Sequence, residues 1–336
     1  MTNTTTSYMG LKLKNPIIVS SSGLTDTLGN IIDLEANGAG AVVVKSLFEE
    51  EILMDAEDNM NKMQATGFIY PETFEYFDYE EVRDPVGDYL KLIADAKAKA
   101  KVKIPVIASI NCVTANQWPD FAKRIQDAGA DGIELNIFPL SSDPDRTAEE
   151  NEQLYFDIIN SVTSLVTIPV SVKISSYHAA LSNFIKRLSQ TPIKGIVLFN
   201  RYYRPDIDIN TFEYTTTNVL STPAEMALPL RWISIMSGRV SNDLCASTGV
   251  HNSEGLVKQL LAGAKAVQIC SVIYRNGTSH IREMLDGLQG WMKEHGFDNI
   301  DAFRGKMSQV RSHNPAAMER VQFMQIFNKK GKGSKG

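Results

Sequence analysis

Short apolar runs, rich in β-branched residues, recur at Ile17–Ser20, Ala41–Val44, Pro105–Ile110, Gly132–Ile137, Pro169–Ile174, Gly195–Phe199, Leu244–Ala246 and Ala266–Cys270. They are continuous rather than alternating, which is the pattern of parallel strands covered by helices. Most intervals between them carry a helical period. Phe121, Ile125 and Ala128 share a face within 116–128, and Leu154, Ile158, Val162 and Leu165 share one within 151–166. An internal repeat sets the phase: ANGAGAVVV ending at Val44, DAGADGIEL ending at Leu135 and LAGAKAVQI ending at Ile269 each read as helix end, glycine, strand. Gly38, Gly129 and Gly263 supply the left-handed residue that ends a helix before the chain turns back. Eight strands alternating with helices, with no break in composition, predict one closed α/β barrel of the (β/α)8 (TIM) class over residues 1–312. Residues 313–336, ending KKGKGSKG, are expected to form a basic, partly disordered tail.

Two insertions interrupt the rhythm, from Leu47 to about Val86 and from Arg201 to about Thr222. Both follow the carboxyl end of a strand, where such barrels carry their active sites, so both are candidate lids or subunit contacts. The residues at or just after the strand ends are Ser22, Lys45, Asn111, Asn136, Lys173, Asn200, Thr248 and Ser271. All are polar, and their recurrence at one rim points to a shared ligand. In ASTGVHNSEG (Ala246–Gly255) small residues mark a strand-to-helix turn whose N–H groups can meet an anion. QICSVI then offers Cys270 and Ser271 after the eighth strand. Together they match the phosphate site that barrels commonly form after strands seven and eight.

Composition narrows the partners. With a net charge of −5 and 43% apolar residues, the chain has no broad cationic field for nucleic acid or anionic lipid, and no apolar stretch approaches a membrane span. The N-terminus lacks the apolar core of a signal peptide, so a cytoplasmic protein with a small-molecule substrate is expected. Cys112, Cys245 and Cys270 lack metal-ligand or cluster-forming spacing. No metal, disulfide or iron–sulfur centre is expected of them.

The ordered series NPIIVSSSG (Asn15–Gly23), AVVVKS, GIELNI, PVSVKI, LFNR, LLAGAKAVQICS and DAFRGK, over residues 9–308, resembles the dihydroorotate dehydrogenases of the soluble class. The resemblance implies an FMN-dependent oxidoreductase acting on CH–CH groups in pyrimidine biosynthesis, usually a homodimer, that passes hydride from dihydroorotate to flavin. It also implies that Ser21, Ser22, Lys45 and Ser46 meet the flavin ring or ribityl chain and that Asn111 and Asn136 line the ring. Thr248, Gly249, Cys270 and Ser271 would face the phosphate. Lys173 matches the lysine beside the flavin N1–O2 edge, and Lys45, Asn136 and Asn200 are the positions that would meet substrate, Asn200 the flavin as well. The absence of a strand-linked GxGxxG favours FMN over FAD or a nicotinamide.

Two segments depart from the family pattern. Relatives carry NLSCPN or NVSSPN, whose cysteine or serine removes the substrate proton, whereas this chain has NIFPLSSDPD, with Pro139 at the base position. Ser141 and Ser142 are the candidate replacements, and serine needs a partner to act as a base. The family's asparagine-bearing substrate loop is replaced by NMNKMQATGFIYPETF, in which Asn59 and Asn61 are the nearest counterparts. Thr248 also stands where the family turn has glycine. The alternatives are an oxidoreductase on another substrate, a Schiff-base lyase or aldolase using Lys45 or Lys173, and a flavin-binding protein without turnover. Whether an electron-transfer subunit joins the chain stays open.

Overall fold

The apolar runs pair as parallel strands in a computed structural model that describes residues 2–48, 84–111, 118–137, 141–202, 204–217, 219–313 and 315–319. Eight of them close a barrel: β3 (Ile17–Val19), β4 (Ala41–Val43), β6 (Val106–Asn111), β7 (Gly132–Asn136), β8 (Val170–Ile174), β9 (Gly195–Leu198), β12 (Asp243–Ser247) and β13 (Ala266–Ile269). Closure comes where β4 pairs with β3 through Ile18–Ala41 and with β6 through Val42–Val106. A two-residue strand, β5 (Leu47–Phe48), extends the β6 edge at the rim. Each of the eight barrel strands coincides with a run expected from the sequence, and β5 with none. Gly38, Gly129 and Gly263 adopt φ of 104°, 97° and 121°, as helix termination requires.

The floor of the barrel is plugged by its own N-terminus. The antiparallel strands β1 (Thr6–Tyr8) and β2 (Leu11–Leu13) turn through Met9 and Gly10, and Tyr8, Met9 and Leu13 join Ile18, Ala41, Val43, Ile107, Val197, Cys245 and Ala266 in an apolar cluster inside the strands. Met9 N donates to Asp243 Oδ2 at 2.8 Å, which ties the plug to the start of β12. Gly195 makes room for it, since a Cβ there would lie 2.7 Å from the Tyr8 hydroxyl. A second, larger cluster fills the space between strands and outer helices. Each large side chain buried there contributes roughly 1.5–3 kcal/mol.

Helix α4 (Ala148–Thr163) shows how that layer is built, counting α1 (Leu28–Ala36), α2 (Pro85–Ala94) and α3 (Trp118–Asp127) before it. Thr147 and Glu150 form a capping box at its start. Its buried face is Asn151, Tyr155, Ile158, Ile159 and Val162, which includes Ile158 and Val162 of the stripe expected from the sequence, with Leu154 partly buried against the core and only Leu165 off it. The helix ends at Thr163, so Leu165 lies beyond it, 51% exposed, while Tyr155 takes the larger share of the interface. Among the described residues no helix is long and apolar enough to cross a membrane. The expected insertion from Leu47 to Val86 falls largely outside the described residues, as do Cys112, Asn59, Asn61 and residues 320–336 of the tail. The tail's first part holds a short helix, Ala316–Glu319, where Gln309 Nε2 donates to Glu319 Oε1 at 2.8 Å.

His178, in the loop after β8, stacks on Phe184 at 4.1 Å between centroids and meets the edge of Tyr155 at 5.6 Å. Burial pushes its pKa down to about 4 from 6.5. The depressed value means that the unfolded chain binds this proton first. Stability is therefore full above about pH 6.5 and is lost as pH falls toward 4. Replacing His178 with Phe removes this contribution, so the variant should lose less stability than the parent between pH 6.5 and 4. The difference should be on the order of 1 kcal/mol, discounted for a partly exposed ring, in urea titrations across that range.

Candidate active site

Strand alternation in a barrel sends every second side chain inward, and above the apolar floor those inward positions turn polar. Ser109 of β6, Glu134 of β7, Ser171 and Lys173 of β8, Gln268 of β13 and Ser20 just past β3 are all buried. Lys173 Nζ donates to Gln268 Oε1 at 2.9 Å and to Ser20 Oγ at 3.1 Å. Gln268 Nε2 in turn donates to Glu134 Oε2 at 2.5 Å, and Glu134 Oε1 lies 3.7 Å from the lysine nitrogen. A second chain runs beside it: Ser46 N donates to Ser21 Oγ at 2.8 Å, the Ser46 and Ser109 hydroxyls are 2.8 Å apart, and the Tyr89 hydroxyl donates to Ser109 O at 2.9 Å.

A cavity of about 270 Å³ opens above this layer at the carboxyl ends of the strands. Ser21, Lys173, Asn200, Thr248, Gly249, Cys270 and Ser271, all expected from the sequence, line it. Asn200 Nδ2 donates to Asn136 Oδ1 at 2.5 Å, which brings Asn136 to the rim. Ser22 supports the same wall through a hydrogen bond with Cys270. Burial is the main cause pushing the Cys270 thiol up, against the lowering effects of Ser22 and Lys173, so it remains protonated at neutral pH. Thr248 and Gly249 turn through φ of 81° and 79°, and Thr248 Oγ1 donates to Phe199 O at 3.3 Å. Ser271 Oγ accepts from Ser221 N at 2.9 Å, and the Ser221 hydroxyl lies 3.1 Å from His251 Nε2.

Other expected residues stay outside the wall. Lys45 is exposed, and Asn111 is half-buried at the end of β6; neither lines the cavity. Ser141 and Ser142 are exposed in the loop between β7 and α4, and Pro139 lies outside the described residues. Conversely, the sequence reading missed Ser20, Glu134, Arg201, Ser221 and Gln268. Glu134 and Gln268 carried a signal, since each is a lone polar residue inside an apolar strand, in GIELN and AVQI.

The donor set can be weighed against a phosphate-bearing flavin. Two cations, Lys173 and Arg201, line the cavity with the hydroxyls of Ser20, Ser21, Thr248 and Ser271, and no carboxylate is among the lining residues described. This is a donor-rich wall suited to an anionic, acceptor-bearing ligand, and it fits a phosphate-bearing flavin.

The profile of the dihydroorotate dehydrogenase family matches residues 76–292. The chain belongs to that family. With it, the chain is an oxidoreductase acting on CH–CH groups by flavin chemistry. Relatives include "dihydroorotate dehydrogenase B (NAD(+)), catalytic subunit" of Thermoplasma acidophilum, 27% identical over 91% of this chain and 99% of the relative. A putative dihydroorotate dehydrogenase A (fumarate) of Aeropyrum pernix is 24% identical over 89% of this chain and 95% of its own length. The chloroplastic dihydropyrimidine dehydrogenase (NADP(+)) of Arabidopsis thaliana is 21% identical over 88% of this chain and 75% of its length.

Gly249 tests the turn after β12. A Cβ there would lie 2.2 Å from Met226 N, and φ is left-handed. Gly249→Ala is expected to destabilise the fold by about 1–3 kcal/mol, seen as a lowered melting temperature.

Proposed function

We propose that this chain binds FMN and oxidises dihydroorotate, or a related planar substrate bearing carboxylate or amide groups, at its saturated CH–CH bond. The observation that carries the reading is the cavity in which Lys173 shares a wall with the Thr248–Gly249 and Cys270–Ser271 turns. Lys173, Ser21 and Asn200 would hold the ring side, with Ser46 and Ser22 behind them; Thr248, Gly249, Cys270 and Ser271 would hold the phosphate. Asn111 and Lys45 complete the proposed flavin set from the rim. When bound, the flavin supplies the acceptor for the substrate's hydride. The Lys173 ammonium, nearly buried, would stabilise negative charge arriving beside it with little reorganisation. Asn136 and Asn200, already joined to each other, would meet ring amides or a carboxylate of the substrate, with Lys45 beside them. Ser141 or Ser142 would receive the substrate proton once the loop brings one inward.

The Schiff-base alternative needs a free amine. Lys173 instead donates to two acceptors and faces a carboxylate, the surroundings of a cation. The relatives named as catalytic subunits support a separate electron-transfer subunit for this chain too, and we place the protein in the cytoplasm.

A homodimer is supported by the hairpin of β10 (Pro205–Asp208) and β11 (Glu213–Thr216). Its alternation puts Pro205, Ile207, Tyr214 and Thr216 on one face and Asp206, Asp208, Glu213 and Thr215 on the other. Ile207 and Tyr214 on the first face are 58% and 86% exposed, and Ile209 and Phe212 in the turn 78% and 87%, an exposed apolar cluster on an edge that would otherwise invite nonspecific pairing. Phe212→Asp should shift the protein from dimer to monomer in light scattering coupled to size exclusion; a monomeric parent defeats the dimer reading.

The enzymatic reading is tested by anaerobic reaction with dihydroorotate. The purified protein should be yellow, release FMN on denaturation, and bleach on adding dihydroorotate. Lys173→Ala should bind FMN more weakly and be reduced more slowly. Changing the responsible serine to alanine should slow reduction by about 100-fold while FMN binding holds. FAD or no flavin in fresh stoichiometric protein counts against the cofactor; flavin that dihydroorotate leaves oxidised points to another substrate.

A further inference from the structure

Among the described residues, the polar layer beneath the cavity holds one carboxylate, Glu134. It is 1% exposed, and Oε1 has no hydrogen-bond partner among the described residues. A buried anion of this kind is tolerated only beside a compensating charge. Its compensating charge is the Lys173 ammonium, 3.7 Å away, beyond hydrogen-bonding range but well within Coulombic reach. Gln268 fills the gap. Its amide oxygen accepts from Lys173 at 2.9 Å and from Ser20 at 3.1 Å, while its amide nitrogen donates to Glu134 at 2.5 Å. Turning the amide over would set NH2 against the ammonium and oxygen against the carboxylate. The network therefore has one orientation.

The neighbouring titratable groups do not share the charge. Tyr8, Tyr89 and Cys245 all feel Glu134, and burial, the first cause in each, pushes them toward their neutral forms. Lys173 and Glu134 are thus the opposed charges of this layer, and only Lys173 reaches the cavity wall. We propose that Glu134 is a positioning residue: it anchors Lys173 at the wall through Gln268 and sets how much positive charge the lysine presents to a bound flavin. This rests on the flavin reading above. Removing the carboxylate leaves the lysine uncompensated and favours an electron-rich ligand beside it. Removing the Gln268 bridge lets the ammonium sink toward Glu134 and has the opposite effect.

The test is the two-electron reduction potential of bound FMN, measured by dye equilibration, with dissociation constants for oxidised and reduced FMN on apoprotein. Glu134→Gln should shift the oxidised–reduced equilibrium tenfold or more toward the reduced form, about 30 mV upward. Gln268→Leu should move it downward, and Glu134→Asp, which keeps the charge, should stay near the parent. Merely structural damage would move both variants the same way, and that outcome overturns the proposal, as does an unchanged potential in Glu134→Gln. If Glu134→Gln does not fold, Gln268→Leu decides, and a potential that fails to fall overturns it. An unmodified protein that takes up no flavin overturns both this inference and the reading it rests on, whereas flavin uptake with unshifted potentials overturns this inference alone.

Discussion

A parallel sheet ends in two unpaired edges unless its outer strands find each other, and here β4 closes that gap by pairing with β3 on one side and β6 on the other. Closure forces the inward side chains into a space with no solvent. At the lower end the chain fills it with Tyr8, Met9 and their apolar neighbours. At the upper end it fills it with Ser20, Ser109, Glu134, Lys173 and Gln268. The position of the site follows from this gradient, because the upper layer carries buried donors and acceptors able to hold a polar ligand, and the cavity opens above it at the strand ends.

The upper layer is expensive to build. Each buried hydroxyl, amide or charge left unpaired costs about 1–3 kcal/mol, and a buried ion more. The chain offsets this with mutual satisfaction: Lys173 to Gln268 and Ser20, Gln268 to Glu134, Ser46 to Ser21 and Ser109, Ser109 to Tyr89. Such networks hold one geometry, since moving any member strands the others. A rigid cation at the cavity wall is what electrostatic stabilisation of a reduced flavin requires, so the connectivity that keeps the barrel mouth stable also suits it for the proposed chemistry.

Much of this was legible in the chain. The strands were, because continuous β-branched runs such as PVSVKI have few other uses, and the helix-ending glycines set their order. Lys173, Thr248, Gly249, Cys270 and Ser271 were, because each sits where an apolar run stops. Glu134 and Gln268 were not assigned, because whether a mid-strand residue points into the barrel or toward a helix depends on register that no single strand encodes. Lys45 and Asn111 show the converse: each continues the inward phase of its strand, after Val43 and Ser109, yet neither lines the cavity, so a strand-end position does not by itself put a side chain in its wall. Leu165 was misassigned to a helix face because the period continues past Thr163 while the helix does not, and ends are where local pattern is weakest.

The same contrast separates what this family member keeps from what it changes. Lys173, Ser21, Asn200 and the residues around Thr248 and Ser271 stand on or beside strands whose positions the closed barrel dictates, so altering them disturbs the fold as well as the site. Ser141 and Ser142 stand on a loop, exposed, and the barrel's closure makes no demand on them. Loops at this end can therefore be replaced without loss of stability. A site that hydrogen-bonds a ring amide or carboxylate rejects ligands lacking it by roughly 10⁴–10⁵, so a few loop substitutions suffice to redirect a barrel from one dihydropyrimidine-like substrate to another. Specificity can thus move on the loop that carries Ser141 and Ser142 while the proposed flavin-binding half stays as it is.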